Sequence, residues 1–262
     1  VVDYAKAYLT IMNKYPQYKT LYFDGFAGSG LIKKEQIEVI KGAAIRILEI
    51  DSPKIFDMYY FVEKNDNNKT LLEQTILKEF SDRVCHIVNE DCNNKIVSMA
   101  EFLKRNNNYR VLAFTDPFGM SLNWSSVESL KGLGIDLWIL VPTGIGVNRL
   151  LNNTGNIPDE WYDKLEIFLG IKRDDIKKRF YKEVTTQDLF GDTFSQDFKD
   201  VRTIHKINDL YRERLGTVFK YVSEAFVLKN STNSIMYHFL MATNNTAALK
   251  IANDIIRPKF KL

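Results

Sequence analysis

The sequence predicts an α/β protein built on a mostly parallel sheet with helices on both faces. Three observations carry that expectation. Five short apolar runs alternate with helix-length segments, the pattern of βαβ units. Several of those runs end on an acid, at Asp24, Glu63, Asp91 and Asp116. A glycine-rich turn, Gly25–Gly30, follows the first run directly.

Taken in order, residues 3–14 space their apolar positions as a helix does, and Tyr15-Pro16 stops it. Thr20–Asp24 reads as a buried strand, and 42–50 as a helix. Met58–Glu63 is a strand, 67–80 a helix, 84–88 a strand and 96–104 a helix. Arg110–Thr115 delivers Asp116-Pro117-Phe118-Gly119, then 124–130 is helical and Ile135–Val141 is a strand closed by Pro142. Right-handed crossovers would bring the C-terminal ends of these strands to one edge, where open α/β sheets bind ligands. The whole reads as one Rossmann-like domain over 1–262. Within it, 144–216 breaks the rhythm and reads as a mostly helical insertion (159–169, 173–182, 203–214), a cap. A hairpin from 225–229 and 235–243 and a helix at 245–256 end the chain.

Composition bounds the function. The 262 residues carry a net charge of +3, too mild to establish a nucleic-acid partner. Cys85 and Cys92 match no zinc spacing and make no disulfide framework, so a reducing, cytoplasmic home is expected. No apolar run is long enough to span a membrane, and no metal centre is expected from three scattered histidines. His86, inside an apolar strand, reads as a core histidine, while His205 and His238 have no evident partners. Lys172–Lys182 interleaves with acids and reads as a solvated helix face.

The chemistry lies at the strand ends. The glycine spacing is neither a phosphate-binding P-loop nor the dinucleotide fingerprint. A strand-end acid before a tight glycine turn suits a zwitterionic amino-acid moiety, Asp24 taking the ammonium. Glu63 can accept both hydroxyls of a ribose, and the stretch Ile32–Glu38, read as a loop, would account for its distance from the turn. Asp91 can bond an adenine amino group with Cys92 beside the ring, or cap the following helix; both readings stand open. Cys92 is not expected to be a nucleophile. Pro117 stiffens the turn that presents Asp116 and Phe118, a pair able to hold an amine and stack a ring.

The run Tyr22–Gly30, then Gly42-Ala43-Ala44, Phe61-Val62-Glu63, Asp91, Asp116–Gly119 and the late Met236–Leu240 and Ala242–Asn244 resembles the three-Cys-motif partner (TcmP) family across nearly the whole chain. That resemblance implies association with a three-cysteine, radical-SAM-like partner protein. The same motifs are more distantly similar to class I S-adenosylmethionine methyltransferases that act on adenine amino groups in RNA or DNA. It implies a cofactor set of Asp24, Phe26, Gly28, Gly30, Glu63, Asp91 and Cys92, with Asp116, Pro117 and Phe118 in the catalytic tetrapeptide. Here the pattern departs from that family, since Phe118 stands where a second proline is usual and Gly119 where the aromatic is. A Mg²⁺-dependent nucleic-acid processing enzyme using the strand-end acids is the remaining alternative.

Overall fold

The computed structural model describes residues 1–34, 38–187 and 193–257, with side chains placed outside 32–40 and 186–194. Helix α1 (Val2–Met12) leads into β1 (Lys19–Asp24), then a two-stranded hairpin of β2 (Leu31–Lys34) and β3 (Glu38–Lys41). Then come α2 (Ala43–Leu48), β4 (Met58–Val62), α3 (Asp66–Glu79), β5 (Cys85–Val88), α4 (Cys92–Arg105) and β6 (Tyr109–Thr115). Helix α5 (Trp124–Glu128) precedes β7 (Ile135–Val141), which runs into a π-helical turn (Thr143–Val147) and α6 (Asn148–Leu150). Helices α7 (Asp159–Leu169) and α8 (Arg173–Phe180) are followed by the hairpin β8 (Tyr181–Gln187) and β9 (Thr193–Lys199). The chain then forms α9 (Thr203–Val218), β10 (Tyr221–Val222), β11 (Phe226–Lys229), β12 (Ile235–Thr243) and α10 (Thr246–Ile256).

The main sheet has the order β10-β12-β7-β6-β1-β4-β5, with β11 also on β12. Strands β7, β6, β1, β4 and β5 are parallel, and β12 joins β7 antiparallel. This is a Rossmann-like α/β fold. From β1 the chain steps outward through β4 to β5, then returns to the other side of β1 as β6. Strand order therefore reverses between β1 and β6, and such a reversal opens a crevice at the strands' C-terminal edge.

Both faces of the sheet are covered, which explains why its strands read as unbroken apolar runs rather than alternating ones. Side chains still alternate by face. Leu21 and Phe23 join a core with Ile96, Leu103, Trp124, Phe168 and Tyr211, from α4, α5, α7 and α9. Tyr22 points the other way, into a core with Tyr8, Ile45, Ile76, Trp138 and Ala252, from α1, α2, α3, β7 and α10.

Three local expectations are corrected. The stretch 32–38 contains part of the β2–β3 hairpin rather than only a loop, its residues 35–37 lying outside the described ones. The helix expected over 173–182 ends at Phe180, because Tyr181 and Lys182 open a β-hairpin and pair with Lys199 and Phe198. Thr185 and Thr193 are β-branched, a preference that counts once a partner strand is present. His86 is exposed on β5, its ring near Tyr60, because β5 is an edge strand of the sheet.

Candidate functional site

The glycine turn is stitched to the strands on either side of β1. Gly25 N–H donates to Phe114 O of β6 at 2.9 Å, and Ala27 N–H to Val62 O of β4 at 3.0 Å. Gly28 N–H then donates to Glu63 Oε2 at 2.8 Å, while Asn65 N–H donates to Oε1 at 2.7 Å. One carboxylate thus spans the turn and the end of β4. The two acidic motifs that the sequence separates by the hairpin are neighbours in space.

Two of the turn's glycines have backbone reasons. Gly30 has φ +74°, and a Cβ there would stand 2.9 Å from Ile45 Cγ1 and from Leu72 Cδ1, so only glycine lets α2 and α3 pack this closely. Gly28 has φ +62° but faces open space, with no atom within 4 Å of a Cβ position. The space above Gly28 is the room a ligand needs to approach main chain. No helix starts directly after this turn; the next begins at Ala43, within the expected 42–50. The hairpin intervenes, and Gly42 N–H, at the N-cap of α2, returns to Gly30 O at 2.8 Å.

Asp24 is buried beneath the turn, accepting from Phe26 N–H at 3.1 Å and from the Tyr22 hydroxyl at 3.3 Å. Burial pushes its carboxyl up to about 7; these two donors pull it down, and the charges of Asp116 and Glu63 add to the rise. Near neutral pH it is therefore half-protonated, and a nearby cation would ionise it. Phe26 is half-buried and packs onto the core.

Of the two readings of Asp91, the helix cap is formed. Its Oδ1 accepts from Asn93 N–H at 2.9 Å and Oδ2 from Lys64 at 3.2 Å. Burial opposes ionisation there, but these donors outweigh it and hold the carboxyl below its ordinary range. Cys92 is buried, its Sγ 2.5 Å from where a Gly25 Cβ would stand, and burial raises its thiol far from thiolate, with Asp24 and Asp91 adding to it.

Asp116, just past the end of β6, reaches solvent, although the surrounding protein still raises its carboxyl by desolvation. Pro117 is buried and anchors the turn. Phe118 is 93% exposed, an unusual position for a large apolar ring. The loop beyond is fastened by a residue that sequence reasoning missed. Asn93 donates to Ser121 O at 2.8 Å and accepts from Asn123 N–H at 2.8 Å, tying the α4 cap to the segment after Phe118. No local motif signals a bond across some thirty positions.

A second missed group flanks the same edge. His238 of β12 is buried, and its Nδ1 lies 2.7 Å from Thr143 Oγ1 beyond the end of β7, with the His205 ring 6.4 Å away. Burial, then His205, lowers His238 to about 4, so it is neutral. Among the described residues, no cluster of three or more His, Cys, Asp or Glu is placed to hold a metal ion. Nor, among them, is any helix long and apolar enough to cross a membrane.

These features define a class: a doubly wound α/β protein with acidic side chains gathered beside a glycine turn at the topological switch point. Among solved structures, the chain is similar to LPL1258 from Legionella pneumophila, of family DUF519, at 11% identity and TM-score 0.50, covering 98% of this chain and 91% of that one. It is also similar to Trm1 from Pyrococcus horikoshii, solved with S-adenosyl-L-methionine, at 11% identity and TM-score 0.37, over 90% of this chain and 62% of that one. Spermidine synthase from Thermotoga maritima gives 13% identity and TM-score 0.42, over 90% and 57%. At such identities the likeness to LPL1258 is one of fold. No family model matches the chain, and no curated protein does.

Proposed function

We propose that this protein binds S-adenosylmethionine and transfers its methyl group to an amino group of a nucleic-acid base. The observation that carries the reading is the joint placement at one crevice of a glycine turn open above Gly28, the bridging carboxylate of Glu63, and Asp116 beside the exposed ring of Phe118. The donor set fits the cofactor. Gly28 and Gly30 would line the ammonium-bearing end, with Asp24 beneath them as the compensating negative charge, and Glu63 keeps lone pairs for a ribose diol. Phe26, Asp91 and Cys92 would shape the rest of the pocket, Asp91 through the cap it builds. When bound, the cofactor supplies an electrophilic methyl group.

The chain's own residues then position the target. The Asp116 carboxylate and the Pro117 carbonyl would accept hydrogen bonds from the target amine, aiming its lone pair into the pocket. Phe118 would stack on an unpaired or flipped base. Catalysis would come mainly from this orientation.

Calorimetric titration with S-adenosylmethionine and S-adenosylhomocysteine tests the binding step, with Glu63→Ala as the weakened control. Labelled methyl transfer to RNA and DNA pools tests the chemistry, with Asp116→Ala expected to lose transfer and keep cofactor binding. Absence of heat with either ligand in the wild type overturns the cofactor assignment.

A second reading, a partner of a three-cysteine protein, is favoured by the β8–β9 hairpin, which exposes Val184 and Phe198, with Val201 beside it. Co-purification with such a protein, without methyl transfer to either pool, would favour it over the first.

A further inference from the structure

A second place with charged and apolar groups together lies at the opposite edge of the sheet. Between α1 and α10, over the start of β6 and β7, is a cleft of about 550 Å³. Small-molecule sites run from roughly 300 to 1,000 Å³. Its polar groups include two ionisable side chains of opposite sign, Asp136 and Arg110, set among tyrosines.

Asp136 takes hydrogen bonds from two neutral hydroxyls, Tyr4 at 2.7 Å and Thr243. A carboxylate removed from water and served by neutral donors is under-compensated, and an arriving cation would stabilise it. Arg110 sits over the Tyr18 ring, its Cζ 3.7 Å from the centroid, and its Nη1 donates to the carbonyls of Asn107 and Tyr109. A guanidinium has five donors in a fork, so this fixes the group without exhausting it. Tyr8, whose ring lines the same cleft, has a buried hydroxyl with no hydrogen-bond partner among the described residues. Much of the remaining wall is apolar, with Ile11 from one helix and Ile251 from the other.

We propose that this cleft is a second small-molecule site, for a free α-amino acid with an apolar side chain. The ammonium goes to Asp136, the carboxylate to Arg110, and the side chain lies along Ile11 and Ile251. Neither a simple amine nor a simple acid satisfies both ends, because each would leave one charge unmatched and bring its own beside a like-charged group.

Titration calorimetry with L-leucine and L-phenylalanine tests this, in the presence of saturating S-adenosylhomocysteine so that the crevice by Asp24 does not contribute. The expected result is saturable one-to-one binding. It should weaken roughly tenfold or more for phenethylamine and for 3-phenylpropionate, each missing one charged hydrogen-bonding group. Asp136→Asn should weaken binding to a similar degree. If that variant does not fold, the two analogues on the wild type decide alone. No saturable heat with either amino acid, equal binding of the analogues, or binding seen without S-adenosylhomocysteine but lost in its presence would overturn the assignment.

Discussion

Replacing Asp24 by asparagine should change the pH dependence of stability more than stability itself. Burial lifts this carboxyl from 3.8 to about 7, so the folded protein holds a proton that the unfolded chain has released. Between those values the native state binds more protons, and stability falls as pH rises. The contribution is full below about 3.8 and lost as pH climbs through about 7. Three units correspond to roughly 4 kcal/mol in total, at about 1.4 kcal/mol per unit of pH. The asparagine amide keeps an acceptor for Phe26 N–H and a polar neighbour for the Tyr22 hydroxyl, but cannot ionise. Urea unfolding of both proteins from pH 5 to 8 isolates the effect, since titrating groups that do not couple to Asp24 cancel in the difference. The advantage of Asp24→Asn over the wild type should grow by roughly 3 kcal/mol across that range. A difference that stays constant with pH would refute the argument and mean that Asp24 is charged in the fold at pH 5.

Other outcomes follow from the same geometry. Gly30→Ala should lower the urea midpoint more than Gly28→Ala. Both adopt left-handed backbone, costing about 1–2 kcal/mol, but only Gly30 would also press a methyl on Ile45 and Leu72. Phe118→Ala should leave stability within about 0.5 kcal/mol, yet cut methyl transfer to a nucleic-acid pool roughly ten- to a hundredfold; equal transfer would remove the stacking role. His238 is held neutral down to about pH 4, so the stability it contributes is complete above 6.5 and lost as pH falls through that window. His238→Gln should flatten the acid limb of the unfolding profile between those values, and an unchanged limb would show that His238 protonates freely.

Much of this architecture is legible in the chain because it is local. An apolar run of five to seven residues, a glycine turn and a helix-length segment each announce themselves within a short window. Crossover handedness then places Asp24, Glu63 and Asp116 on one edge before any coordinate is known. The strand Ile135–Val141 and the helix Asp159–Leu169 coincide with their expected limits for this reason.

Tertiary structure decided what depends on partners distant in sequence. Leu31–Lys34 pairs with Glu38–Lys41, and Tyr181–Gln187 with Thr193–Lys199, because two weakly patterned segments meet, and neither segment is distinctive by itself. His86 has apolar neighbours along the chain, but the sheet ends at its strand and leaves it exposed. Only packing showed that Asp91 is committed to a cap and that Glu63 grips Gly28. Packing also buries Asp24 deeply enough to hold a proton near neutrality. Sequence sets which groups are present and on which edge; their charge and their free lone pairs depend on burial and hydrogen bonds, which are sums over contacts from several elements.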